Sequence, residues 1–305
     1  MEPPPLKFMN LEPFVDPAAR DPSTKLPLDG IAFDIFTMPQ ETLITYGEAA
    51  PVLHSFGGVK IVRLSHNLVL KYGRSVLASE GETMKYAATN FPGARLPNVY
   101  QCFNIDFPSY FGVKGSLVMD YVDGRCLDSC WDHLSPELQK NIAAQLAAMV
   151  QELQSVRLSS PVVIGGGISR GAWFSDYGAG PFITKEGFEK WLNWKLALSK
   201  YCNYAAMDVP DINYQDFVLI HGDLSPRNLI LDTDNQVWLI DWGCAGVYPA
   251  IFEAASLKHQ PHFPSFAQLL LPLIYNNANE MAQLEACQYG IHREPLSLPP
   301  ERRAP

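Results

Sequence analysis

The apolar positions of this chain change period several times, and each change marks an element. Between Ala49 and Tyr72 they fall in short alternations, Val59 to Leu64 and Asn67 to Tyr72, with Ser65-His66 between them. That is the pattern of two strands and a tight turn. A third apolar run, Ser116 to Val122, ends in Asp120-Tyr121-Val122-Asp123-Gly124 and reads as a strand entering a turn. Met84, Ala87 and Ala88 follow Ser79-Glu80-Gly81-Glu82 and suggest a helix beginning near Glu80. A longer helix is expected over Leu134 to Leu158. Ser135-Pro136-Glu137 supplies an N-cap with proline at the first helical position, and Leu138, Ile142, Ala143, Leu146, Met149, Val150 and Leu153 recur at three-and-four spacing. Residues 1–40 are rich in proline and poor in periodic apolar positions. They read as a loosely ordered arm with Phe33, Ile35 and Phe36 as docking candidates. The tail 295–305 is polar and proline-rich.

The densest pattern lies in Phe217 to Gly243, FVLIHGDLSPRNLILDTDNQVWLIDWG. Phe217 to Ile220, Leu229 to Leu231 and Val237 to Ile240 are strand-like, and Asp232-Thr233-Asp234-Asn235 has turn composition. Folding the last two runs into a hairpin about that turn sets Asn228 opposite Asp241. Opposed residues have Cβ atoms about 4.5–5.5 Å apart. An amide oxygen and a carboxylate meeting at the open end suit Mg²⁺, which takes one or two protein carboxylates and completes its shell with water and phosphate. Asp223 leaves the preceding strand and is placed to face the same spot.

This arrangement resembles the core of the protein-kinase-like phosphotransferases, in which an Asp stands five residues before a Mg²⁺-binding Asn and another Asp opens the next motif. His221-Gly222-Asp223 and Asp241-Trp242-Gly243 stand where protein kinases have His-Arg-Asp and Asp-Phe-Gly. That wording is similar to the aminoglycoside phosphotransferase family of small-molecule kinases. The resemblance implies an α+β, two-lobed fold: a nucleotide-binding N-lobe over 41–121, and a mainly helical C-lobe over 122–294 with the catalytic loop and acceptor site. It implies Asp223 as the catalytic residue, Asn228 and Asp241 as metal ligands, and ATP and Mg²⁺ as cofactors. Lys71 becomes the phosphate-pairing lysine, with Glu80 favoured over Glu82 as its partner. Gly57 and Gly58 form the turn over the phosphates, where backbone N–H groups can come close. Aligned on Gly124, Asp120 and Val122 become main-chain contacts to the nucleotide base, with Met119 at the back of the pocket. His221 fits a structural hydrogen-bonding role. Arg227 fits either a loop anchor or a contact to an acidic substrate.

The stretch Val163 to Phe182 is glycine-rich. Gly165-Gly166-Gly167 lacks the Gly-Lys-Ser/Thr of a phosphate loop, and the layout resembles fungal members of the same family. Trp173, Phe174 and Tyr177 are candidates either for lining an acceptor pocket or for filling core. The resemblance continues through Gly246, Tyr248, Pro249 and Glu253.

The reaction these residues imply is transfer of the γ-phosphoryl group of ATP to a hydroxyl, or an amine, of a small molecule. Two other readings share the fold. A protein kinase fits poorly, because the Ala-Pro-Glu signature is missing and few residues separate Gly243 from Tyr248-Pro249. For a non-catalytic nucleotide-binding protein that keeps the fold, only the thin glycine loop and the short region after Gly243 speak, since the key polar residues are all present. With 305 residues and 47% hydrophobic content the chain can bury a sizeable core. Its net charge of −9 excludes a general nucleic-acid binder. No apolar run is long enough for a membrane span. The six cysteines follow no metal or disulfide spacing, which points to reduced thiols and the cytoplasm. Oligomeric state, and ATP against GTP, are left open by the sequence.

Overall fold

The computed structural model describes residues 16–106, 113–175, 178–260 and 262–293. The chain begins with a short helix, α1 (Pro17–Arg20), and then α2 (Gln40–Ala49). Five strands follow around one helix: β1 (Val52–Phe56), β2 (Val59–Arg63), β3 (Leu68–Gly73), α3 (Ala78–Asn90), β4 (Val99–Asp106) and β5 (Val113–Asp120). They form one antiparallel sheet in the order β1-β2-β3-β5-β4, so β3 is central, with Lys71 registered between Ile61 and Leu117.

Strand alternation divides this sheet between two cores. Leu68 and Leu70 of β3 and Val118 of β5 face outward and pack with Leu43 of α2, Val62 and Leu28. Val69, Leu117 and Met119 face the other way, toward Met84 and Ala87 of α3. Lys71 shares the face of Val69, which aims it at α3. Close approach of that helix depends on Gly81: a Cβ there would lie 2.5 Å from the Cβ of Cys102.

Residues 16–40 differ from the expected loose arm. Leu26 and Leu28 are buried, the Leu28 N–H donates to the Leu64 carbonyl at 2.9 Å, and Ile35 joins the outer core. Phe33 and Phe36 stay exposed. The outward face of β2–β3 needs an apolar cover, and a chain crossing it irregularly supplies one without any period to read.

The second lobe contains β6 (Gly124–Cys126), α4 (Pro136–Leu153), α5 (Lys185–Tyr201), β7 (Val218–Ile220), β8 (Leu229–Asp232), β9 (Val237–Leu239), β10 (Gly246–Tyr248) and the helices α6 (Ile251–Lys258), α7 (Pro264–Leu270), α8 (Ala278–Ala286) and α9 (Gln288–Arg293). Helix α4 opens as expected, with the Ser135 side chain accepting from the Leu138 N–H and Pro136 in the first turn. It ends at Leu153, short of Leu158. The molecule is an α+β, two-lobed, kinase-like fold. No helix among the described residues is long and apolar enough to cross a membrane.

The hairpin β8–β9 forms, with a register one residue away from the expected one. Leu229 pairs with Leu239 and Leu231 with Val237, so Asn228 lies opposite Ile240, whose N–H donates to the Asn228 carbonyl at 3.0 Å. The loop holds three residues between Asp232 and Gln236, closed by the Gln236 carbonyl accepting from the Asp232 N–H at 3.0 Å. Asp232 Oδ1 accepts from the N–H groups of Asp234 and Gln236, and Asn235 takes a φ of +58°. This register pairs buried residues with buried residues, whereas the expected one would have set Leu231 against the partly exposed Trp238. A slip of one residue reverses a strand's faces.

Candidate active site

The candidate residues converge between the lobes. Lys71 Nζ lies 2.7 Å from Glu80 Oε1 and 2.8 Å from Asp241 Oδ1. Lys71 and Glu80 are both buried, while Asp241 keeps half of its side chain exposed. Burial opposes the charge on Lys71, but the two facing carboxylates outweigh it and raise its pKa, so it stays a cation. Burial also works against Asp241, and there the Lys71 charge prevails and lowers the carboxyl below its ordinary value. Glu82, the rival partner, bonds instead to Lys85 at 3.2 Å and to the Cys102 thiol at 3.0 Å.

Asp241 reaches Lys71 because its backbone turns left-handed, with φ +62°. Asp tolerates that region better than most residues. One residue beyond the ladder, the turn re-aims a side chain that the strand alone would have sent elsewhere.

At the open end of the same hairpin, Asn228 Nδ2 donates to the Asp223 carbonyl at 2.8 Å and to Asp223 Oδ2 at 2.9 Å. With its donors spent there, the amide oxygen of Asn228 is left for another ligand. Arg227 Nη2 donates to both Asp223 oxygens, at 2.7 and 2.8 Å, so the side chain pairs with an acid of its own loop. Gln260 Nε2, at 3.5 Å from Asp223 Oδ1, also donates to the Leu224 carbonyl.

His221 is fully buried, and its Nε2 pairs with the Ile240 carbonyl at 3.1 Å. Burial lowers its pKa and keeps the ring neutral, so it donates that bond and ties the 221–228 loop to the end of the hairpin. The loop has a second tether that sequence reasoning missed. Glu253 of α6 accepts from the N–H groups of His221 at 2.6 Å and Gly222 at 3.0 Å. Burial pushes its carboxyl up to about 7, although those two bonds pull the other way. Its place in the resemblance after Gly243 was visible; its partner, 32 residues earlier, was not.

The remaining candidates sit where the strands put them. Met119 is buried on the Lys71 face of the sheet. Asp120 directs its carboxylate toward β4, accepting from the Asn98 N–H at 2.9 Å and the Tyr100 hydroxyl at 2.6 Å, while its own N–H donates to the Asn98 carbonyl. Val122 follows in the extended link before β6. Gly57 and Gly58 make the β1–β2 turn with φ of +59° and +81°, in open space.

The acceptor-side aromatics divide. Trp173 and Phe174 are buried, and Phe174 packs among Phe188, Trp191, Tyr248 and Phe252. Phe174 is therefore core. Trp173 also borders a small hollow of about 180 Å³ with Gly222, Cys244 and Ser256. Tyr177 lies outside the described residues. Segment 163–175 reaches the N-lobe, since the Thr83 hydroxyl lies 3.4 Å from the Ile164 carbonyl and Arg170 donates to the Ser75 carbonyl at 2.8 Å. Past Gly243 the chain passes directly into β10, which pairs with β7, so no long segment intervenes for a peptide substrate.

Among solved structures, the streptomycin–ATP ternary complex of APH(2″)-IIa is similar at 17% identity and a TM-score of 0.50, covering 85% of this chain and 94% of its own. ADP-bound APH(2″)-Ib matches at 15% and 0.50, over 87% and 94%. The GDP complex of wild-type aminoglycoside 2′-phosphotransferase-IIIa matches at 14% and 0.51, over 79% and 81%. Comparison with curated proteins gives no match. At these identities the structures establish the fold. The family follows from a different comparison: residues 60–271, more than two thirds of the chain, match the model of the APH phosphotransferase enzyme family, and the protein is a phosphotransferase belonging to that family.

Proposed function

We propose that the protein transfers the γ-phosphoryl group of a nucleoside triphosphate, ATP in the first instance, to a hydroxyl of a small-molecule acceptor. The observation that carries this reading is the buried Lys71–Glu80 pair bonded to Asp241 at the end of the same hairpin that begins with Asn228, itself bonded to Asp223. The solved structures of similar fold hold ATP, ADP or GDP, and streptomycin in one case, which supports a nucleotide and a small acceptor without naming the acceptor.

In this reading Lys71, oriented by Glu80, neutralises charge on the nucleotide phosphates. The Asp120 carbonyl and the Val122 N–H meet the base edge, with Met119 behind it, and the Gly57-Gly58 turn brings backbone N–H groups over the phosphates. Asp223 accepts the proton of the acceptor hydroxyl or orients it. Asn228 Oδ1 and the half-exposed Asp241 carboxylate are hard oxygen donors and fit Mg²⁺, which when bound neutralises phosphate charge. Mg²⁺ takes one or two protein carboxylates and completes its shell with phosphate and water. The protein's share of catalysis is then positioning and fixed electrostatics.

The test is Mg²⁺-dependent ADP release by purified protein against pooled small alcohols, amino sugars and amines. Asp223→Ala is expected to abolish it while nucleotide binding persists. Full turnover by that variant removes Asp223 from the mechanism, and failure of the wild type to bind nucleotide removes the kinase reading.

A further inference from the structure

Arg227 holds the carboxylate that the proposed reaction needs free. Its Nη2 bonds Asp223 Oδ1 at 2.7 Å and Oδ2 at 2.8 Å. The other sides of that carboxylate are already taken. Asn228, 3% exposed, bonds Oδ2 from within, and Gln260 stands near Oδ1. The Arg227 side chain is 51% exposed and that of Asp223 25%, so the guanidinium covers the solvent-facing approach along which a hydroxyl would come.

The backbone beneath Arg227 is fixed independently of this pair. It lies in the single turn Pro226–Asn228, closed by the Asn228 N–H donating to the Ser225 carbonyl at 2.8 Å. The Cys126 thiol of β6 adds a bond to the Arg227 carbonyl at 3.2 Å. Only the side chain has to move to uncover Asp223. A half-exposed ion pair is weak enough in water to exchange, and a guanidinium fork suits phosphate oxygens as well as it suits a carboxylate.

We propose that Arg227 is a positioning residue that guards Asp223, occupying both carboxylate oxygens until an acceptor hydroxyl displaces it. The inference rests on Asp223 being the residue that receives the acceptor's proton. In the productive step the acceptor oxygen bonds to the γ-phosphorus, the bond from that phosphorus to the β–γ bridging oxygen breaks, and ADP leaves with the electron pair. The acceptor's proton passes to Asp223. With water as the acceptor the same balance gives ADP and inorganic phosphate, and the guard suppresses that reaction because a lone water makes too few contacts to displace an arginine whose Nη2 bridges both oxygens.

The experiment needs no knowledge of the acceptor. ADP release from Mg²⁺-ATP without acceptor is measured for the full chain and for Arg227→Met, Arg227→Lys, Asp223→Ala and Arg227→Met with Asp223→Ala. Mg²⁺-ADP affinity and melting temperature are recorded alongside. Arg227→Met is expected to raise hydrolysis about tenfold, a part of what a general base can supply. Arg227→Lys should lie between it and the wild type, because the ammonium keeps a positive charge near Asp223 without the planar, fixed placement of the guanidinium. The double variant should fall to the level of Asp223→Ala. A merely structural arginine would lower the rate when removed. Hydrolysis unchanged or reduced in Arg227→Met and Arg227→Lys, with Mg²⁺-ADP still bound, overturns the guard and leaves the kinase reading standing. Loss of Mg²⁺-ADP binding by the wild type itself overturns both.

Discussion

Segment 163–175 is irregular and segment 221–243 is built around the β8–β9 hairpin, and the two are held by different forces. In the second, polar side chains grip polar groups of the same segment: Asn228 and Arg227 hold Asp223, and Asp232 closes its own turn. In the first, Phe174 is buried among aromatics from α5, β10 and α6. The contacts within 221–243 are therefore largely written in short-range spacing. The surroundings of an acceptor depend on contacts between distant parts of the chain.

Five substitutions test that division. Phe174→Ala should have the largest effect, a loss of about 3–5 kcal/mol of stability as a buried ring is removed, read as a shift in the denaturation midpoint; a midpoint that stayed put would return Phe174 to the acceptor site. Asp241→Asn should keep the fold and lower turnover about 10²–10³-fold, the scale of losing one fixed electrostatic partner of the reacting phosphates. A turnover assay in which it matched the wild type would exclude Asp241 as a ligand.

Glu80 and Glu82 stand two residues apart and make a sharper pair. Glu80→Gln frees Lys71 to wander and should cost about 10²-fold in turnover, whereas Glu82→Gln, a surface change, should stay within about twofold. Equal effects would mean that the ion pair does not orient Lys71.

Glu253→Gln sets a donor against the Gly222 N–H and should cost about 1–3 kcal/mol. Its pH dependence is the more specific sign. The Glu253 carboxyl is raised from 4.5 to about 7, so the folded state binds this proton more tightly than the unfolded chain does. That contribution is complete below about pH 4.5 and is lost as pH rises through about 7. The difference in stability between wild type and variant should shrink across that window, and a constant difference would show that Glu253 does not titrate there.

Much of the fold was legible because strand and helix periods are local. The alternation of Val59 to Tyr72 placed β2 and β3, and the Ser135 cap placed the start of α4. The pairing of Lys71 with Glu80 was legible only through resemblance, since nine residues and a change of element separate them. The hairpin register was missed because the turn was counted without asking which residues of β9 had to be buried. Glu253 and Gln260 were missed because nothing near them in the chain announces a partner more than thirty residues away. The cover supplied by Leu28 and Ile35 was hidden by its lack of period.

The three-residue loop between Asp232 and Gln236 works as a counter of parity. Adding or removing one residue there would present Trp238 to the core and push Val237 and Leu239 outward, and it would displace Asp241 from Lys71. Adding two restores the faces. Descendants of this sequence that change length at that tip should accordingly be found to do so in even steps, or else to carry a compensating bulge within β9.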